Sequence, residues 1–103
     1  MEDLIYLSEC YNTPINKFRC IYLIQDMNNG FLKIGISKNP KKRLKQLQDS
    51  NPNYLKLISV IKNKPFGYEK DLHNLFDDLR FNKEWFKKSN SIINYFNKYG
   101  DKP

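Results

Sequence analysis

The order of elements in this 103-residue sequence predicts an α+β fold with a small sheet, running strand, strand, helix, strand, helix, helix. Three observations carry the prediction. Two β-branched and aromatic runs flank a strong hairpin turn, a proline-led basic segment carries a narrow apolar stripe, and a later segment repeats its apolar residues with a helical period.

Residues 1–17 show no sustained period and read as an N-terminal extension, in which Pro14 argues against a long helix. Arg19 to Ile24 and Phe31 to Ile36 read as strands, joined by the turn-forming Asp26-Met27-Asn28-Asn29-Gly30. Alternation puts Ile21 and Leu23 on one face with Leu32, Ile34 and Ile36, and leaves Tyr22, Ile24, Lys33 and Gly35 on the other. Two registers satisfy that pattern. A two-residue Asn29-Gly30 turn pairs Tyr22 with Ser37, whereas a four-residue loop from Asp26 to Asn29 sets Tyr22 directly opposite Lys33.

A helix follows from Pro40 to about Gln48, with proline at its first position and Asn39 as its N-cap. Leu44 and Leu47 form its apolar stripe. Asn51-Pro52-Asn53 breaks the chain, and Tyr54 to Ile61 reads as a third strand. A second helix runs from about Gly67 to Leu79, with Tyr68, Leu72, Leu75, Phe76 and Leu79 as its buried stripe. Asn82 to Phe86 reads as a turn or short extended piece, with Trp85 and Phe86 closing the core against the last helix. That helix is capped by Ser89, runs through Tyr99 and ends at Gly100. The domain is therefore expected over residues 18–100, with 101–103 a tail.

Composition bounds the functions. Forty per cent hydrophobic and 15% aromatic content suffices for one core, and the apolar run Cys20–Ile24 falls far short of the ~20 residues of a membrane span. No basic region leads into an apolar stretch at the start, so no secretory signal is expected; with two cysteines, the expectation is reduced thiols and an intracellular protein. The single histidine, His73, and both cysteines match no zinc spacing. The charge, +7 overall, is uneven: Lys33, Lys38, Lys41, Lys42, Arg43 and Lys45 precede any acidic residue before Asp49. That run suits a polyanion, nucleic acid or an anionic membrane surface, and is equally what a solvated helix face looks like.

Glu69 and His73, four apart on the second helix, share a face at the border of its apolar stripe. A carboxylate there is suited to holding a divalent cation; the bland alternative is a surface Glu-His pair. Arg43 is one of three arginines, and a planar guanidinium can bind two phosphate oxygens and offset the charge of phosphoryl transfer. If Tyr22 and Lys33 face each other, the ammonium lowers the phenol's pKa and helps it accept a proton.

Together these pieces resemble the GIY-YIG nuclease superfamily, in the short branch carried by phages, large DNA viruses and some cellular genomes. Cys20-Ile21-Tyr22 stands where that family has Gly-Ile-Tyr, and Lys33-Ile34-Gly35 where it has Tyr-Ile-Gly. Arg43-Leu44-Lys45-Gln46-Leu47 is similar to the helix with the essential arginine, Glu69 with Leu72-His73 to Glu-x-x-Leu-His, and Glu84-Trp85-Phe86 to the Glu-Trp-Phe ending. The resemblance spans about Arg19 to Phe86. It implies a three-stranded antiparallel sheet flanked by helices and an intracellular endonuclease that hydrolyses DNA phosphodiesters with one Mg²⁺ or Mn²⁺. In that reading Glu69 holds the metal, Tyr22 aligns or deprotonates the attacking water, Arg43 steadies the phosphorane, and Lys33 replaces the second tyrosine and supports Tyr22, which favours the wider hairpin loop. His73 is the candidate proton relay. Lys38, Lys41, Lys42 and Lys45 would bind DNA, and a protein partner or homo-oligomer would supply specificity.

The sequence departs from the family pattern at Cys20, in place of the first glycine, and at Leu47, where many members have His or Tyr. The replacement of the second tyrosine by Lys33 and the departure at Leu47 suit an inactive nucleic-acid-binding module of the same fold; a third reading is a viral interaction protein acting through residues 1–17. An enzyme requires Tyr22, Lys33, Arg43 and Glu69 on one concave surface, whereas a binder requires only the basic stripe.

Overall fold

In the computed structural model, residues 18–65 and 67–103 are described; the expectations for residues 1–17 fall outside them. Five strands and three helices follow in the order β1 (Phe18–Asp26), β2 (Leu32–Ser37), α1 (Pro40–Asp49), β3 (Leu55–Pro65), α2 (Gly67–Leu75), β4 (Arg80–Asn82), β5 (Trp85–Phe86) and α3 (Asn90–Tyr99), with a 3₁₀ turn at Asp77–Leu79 before β4. The sheet order is β3-β1-β2-β5-β4, antiparallel throughout.

The fold class is as expected, but the sheet has five strands among the described residues rather than three. Arg80–Asn82 and Trp85–Phe86 form a short hairpin that adds to the free edge of β2, pairing Leu32 with Phe86 and Lys33 with Trp85. Two- and three-residue strands have no room for a period-2 pattern, so the sequence marks no more than a turn or short extended piece at Asn82 to Phe86. Lys83, at φ 52°, supplies the left-handed turn between them.

Tyr22 is also corrected. It stands opposite Gly35, and Lys33 opposite Ile24. The loop is four residues long, as preferred, but spans Met27 to Gly30, one place later than expected: Asp26 N–H donates to the Phe31 carbonyl and Gly30 N–H to that of Asp26. Gly30 takes the positive φ of 81° that the turn requires. The buried Asp26 carboxylate fixes the loop by accepting from the amides of Asn28 (2.9 Å) and Asn29 (3.3 Å) and from the Asn53 side chain (2.9 Å). Burial alone would raise its pKa, but these hydrogen bonds outweigh it and hold the carboxyl below its usual range.

The sheet has a core on each face. Ile21, Leu23, Leu32, Ile34 and Phe86 pack with Ile61 beneath α2 and α3, against Leu72, Phe76, Ile92 and Phe96. On the other face Tyr22, Ile24, Leu55 and Leu57 pack with Leu44 and Leu47 of α1 and with Trp85. The alternation read from the hairpin holds. Trp85, however, packs on the α1 face and only Phe86 enters the core under α3.

α1 begins at Pro40, and the Asn39 side chain caps it by accepting from Lys42 N–H. α2 ends at Leu75, earlier than Leu79, because the chain tightens into the 3₁₀ turn that feeds β4; Leu75 is accordingly exposed instead of joining Leu72 and Phe76. Ser89 caps α3 as expected. Asp101 then pairs with both backbone groups of Val60, so the last pairing of the fold falls just past the expected boundary at residue 100. Cys20 is disulfide-bonded, which overturns the expectation of reduced thiols and removes that support for an intracellular protein; Cys10 lies outside the described residues. No helix among the described residues is long and apolar enough to cross a membrane.

Candidate active site

The candidate residues come from both layers of the fold and meet at the edge of β2. β5 is only two residues long, so its ladder to β2 stops early. The Glu84 carbonyl accepts from Ile34 N–H, but the Ile34 carbonyl finds no strand partner and is taken by His73 of α2, whose Nε2 lies 2.8 Å away. A carbonyl can only accept, so Nε2 carries the proton and is committed as a donor. His73 thus anchors α2 to the open edge of β2.

One turn earlier on α2, Glu69 reaches the same edge. Its side chain is 17% exposed, its Oε2 lies 3.8 Å from His73 Nε2, and that oxygen is buried without a hydrogen-bond partner. Burial, then the nearby Glu84 carboxylate, raises the Glu69 pKa; His73 and Lys33 pull in the other direction without cancelling the rise. A carboxylate so placed is short of positive partners.

Tyr22, from the opposite layer, is 1% exposed, and its ring lies directly over Gly35. This close approach explains the glycine, since no side chain at residue 35 could coexist with the phenol. Arg43 of α1 lies near enough to the phenol to favour its charged form. Burial nonetheless dominates and raises the Tyr22 pKa; Arg43 opposes the rise, and the charges of Glu84 and Glu69 add to it. The phenol is therefore protonated at neutral pH, not acidified by Lys33 as expected.

Lys33 has a different partner. Its side chain is 10% exposed, and Nζ donates to Glu84 Oε1 at 2.8 Å and lies 5.5 Å from the centroid of the Trp85 ring. Glu84 is the residue that sequence reasoning missed. A lysine on an inward strand position needs an acidic partner, and Glu84 opens the Glu-Trp-Phe triplet already singled out. That requirement was the available signal.

Tyr22 is thus within electrostatic reach of Arg43, Glu84 and Glu69, and Glu69 within reach of Glu84, His73 and Lys33. Lys38, Lys41, Lys42 and Lys45 are exposed on and just before α1, the element that carries Arg43. The arrangement offers a hydroxyl, a guanidinium and a carboxylate with one oxygen lacking a hydrogen-bond partner among the described residues. The T5orf172 domain family matches residues 19–98, a span holding every one of these groups. The chain belongs to this family. No curated protein and no solved structure shows a significant match. Within this T5orf172 domain the match starts at β1 and ends inside α3, so it covers the five-stranded sheet as well as the site.

The donor set fits a substrate-completed cation site. Among the described residues no group of three His, Cys, Asp or Glu side chains could hold a metal unaided. Magnesium, however, is commonly held by one or two carboxylates plus water and substrate phosphate oxygens. The unsatisfied Oε2 of Glu69, beside Glu84, suits that mode.

Proposed function

We propose that this T5orf172 domain is a DNA endonuclease that hydrolyses phosphodiester bonds at the Tyr22–Arg43–Glu69 patch. The observation that supports the reading is that Tyr22 of β1 lies within electrostatic reach of both Arg43 of α1 and Glu69 of α2, with a buried Glu69 oxygen left without a hydrogen-bond partner among the described residues. A purely structural carboxylate would be paired or exposed.

Each residue has a role its geometry supports. Arg43 places a fixed cation where the phosphorane's charge develops, an electrostatic effect typically worth several kcal/mol in such sites. Tyr22, protonated at neutral pH and close to Arg43, orients the attacking water through its oxygen rather than removing its proton outright. Lys33 keeps Glu84 in place, and His73 fixes the Ile34 strand edge against which Glu69 is held. Glu69 would hold Mg²⁺ or Mn²⁺, which when bound supplies Lewis-acid polarisation of a phosphoryl oxygen and a more acidic water. The exposed lysines of α1 supply non-specific attraction to the DNA backbone.

The test is plasmid nicking with Mg²⁺ or Mn²⁺, comparing wild type with Glu69→Ala and Tyr22→Phe. Metal-dependent nicking that both substitutions abolish or cut by orders of magnitude is expected. A wild type that binds DNA with steep salt dependence but nicks no DNA form would instead make the domain a binding module.

A further inference from the structure

A concavity lies beside the site. It measures about 330 Å³, at the lower end of the range for small-molecule pockets, and is lined by Asn29, Asn51, Asn53, Asn82, Phe81 and Trp85 together with Asp26 and Phe31. It adjoins the site through one short hairpin: β4 and its turn carry Phe81 and Asn82 into the cavity, and the next residues, Glu84 and Trp85, hold Lys33.

The lining selects a chemistry. It contains no lysine or arginine among the described residues, and its one ionisable group is Asp26, a buried carboxylate, so phosphate is disfavoured there. What remains is a ring of carboxamides with aromatic groups beside it. Asn53 is spent: its Nδ2 donates to Asp26 and its Oδ1 accepts from Asn28. The Oδ1 of Asn29 accepts from Phe31 N–H and that of Asn51 from Asn53 N–H, which leaves the amide NH₂ of each as a donor. The Asn82 side chain makes no hydrogen bond among the described residues, so both its donor and its acceptor are available. Phe81, 59% exposed, lies with its ring 4.7 Å from that of Phe31. Exposed aromatic faces next to free amides suit a flat, neutral ring with a hydrogen-bonding edge.

We propose that this cavity receives an unpaired nucleobase of the DNA strand held at the neighbouring site. The inference rests on the nuclease reading for the presence of DNA, but on neither metal nor cleavage. Phe81 stacks on the base, Asn82 and the NH₂ groups of Asn29 and Asn51 meet its edge, and the strand's phosphates run towards α1.

The experiment uses the wild-type chain in EDTA, so that nothing is cut, with single-stranded oligonucleotides carrying 2-aminopurine at successive positions. The same duplex and the free 2-aminopurine nucleoside are the comparison arms. The fluorescence of one position should change on binding to the single strand, and Phe81→Ala and Asn82→Ala, both exposed positions whose folding circular dichroism checks, should abolish the change and weaken binding about tenfold. Unchanged fluorescence at every position while anisotropy reports binding overturns the proposal, as do variants that behave like wild type. Saturation by the free nucleoside with no response from the oligonucleotide also overturns it, in favour of a nucleotide ligand. Metal-dependent nicking without the fluorescence change removes the cavity and leaves the nuclease; the fluorescence change without nicking does the reverse.

Discussion

The hydroxyl of Tyr22 occupies space that a side chain at residue 35 would need: a Cβ on Gly35 would overlap both that oxygen and Cζ of the ring. Because the Tyr22 ring is walled in on the α1 face, it cannot swing clear without disturbing Leu44 and Leu47. Gly35→Ala should therefore destabilise the fold by about 1–3 kcal/mol, the usual cost of overpacking. In urea unfolding, Tyr22→Ala should cost less in the Gly35→Ala background than in wild type. Additive effects would mean that the ring does not lie over residue 35.

Glu69 sets a pH dependence whose sign follows from its raised pKa. Between the ordinary glutamate value and the raised one, the folded chain keeps a proton that the unfolded chain has lost. Stability contributed by this group is therefore present at low pH and falls as pH rises through that interval. At neutral pH without a cation, Glu69→Gln should raise Tm by an amount on the order of 2 °C. Mg²⁺ or Mn²⁺ should raise Tm in wild type and not in the variant. Cleavage should fail on acidification at a higher pH than an ordinary glutamate would give.

The Lys33–Glu84 pair should respond asymmetrically. The ammonium is nearly buried, whereas the carboxylate is 42% exposed and can hydrate. Glu84→Gln leaves a buried charge unpaired and should cost about 1–2 kcal/mol, reduced from fully buried cases by that exposure. Lys33→Met retains the packing against Trp85 and should cost less. Chemical denaturation of the two variants decides the order.

His73→Ala leaves the Ile34 carbonyl unpaired, with an expected loss of about 1–2 kcal/mol. His73→Gln, which can still donate, should recover part of both stability and nicking. A proton relay would not be restored that way, so recovery by glutamine separates anchoring from proton transfer.

The exposed lysines of α1 should act on salt dependence. Replacing Lys41, Lys42 and Lys45 with glutamine should weaken DNA binding at every sequence. It should also flatten the slope of log affinity against log salt by about 0.9 for each phosphate no longer neutralised. Fluorescence anisotropy between low and moderate salt measures it. An unchanged slope would place the DNA elsewhere.

Much of this molecule was legible from local pattern. The alternation from Ile21 to Ile36 assigned the two faces of the hairpin correctly, because each face is buried against its own core and neither tolerates a one-residue slip. Asn39, Pro40, Ser89 and Gly100 marked helix ends through capping chemistry that acts within a few residues. The hairpin register was not legible, since apolar pattern alone admits several loop placements; the hydrogen bonds to Asp26 from Asn28, Asn29 and the distant Asn53 choose among them. β4 and β5 escaped because they are stabilised by adding to an existing edge. Of the site, Tyr22, Arg43 and Glu69 were named from sequence, whereas the partner of Lys33, 51 residues away, depends on that added hairpin.

The brevity of β5 has a wider consequence. A ladder begun one residue earlier, with Glu84 N–H also bonded to β2, would cover the Ile34 carbonyl that His73 now holds. The truncated edge acts as an aperture in an otherwise continuous wall, through which groups from opposite compartments of the fold share one electrostatic neighbourhood. Chains of this architecture should therefore accept lengthening of the pairing beyond Phe86 far better than a ladder begun earlier, at Lys83 or Glu84, since only the latter would shut the opening.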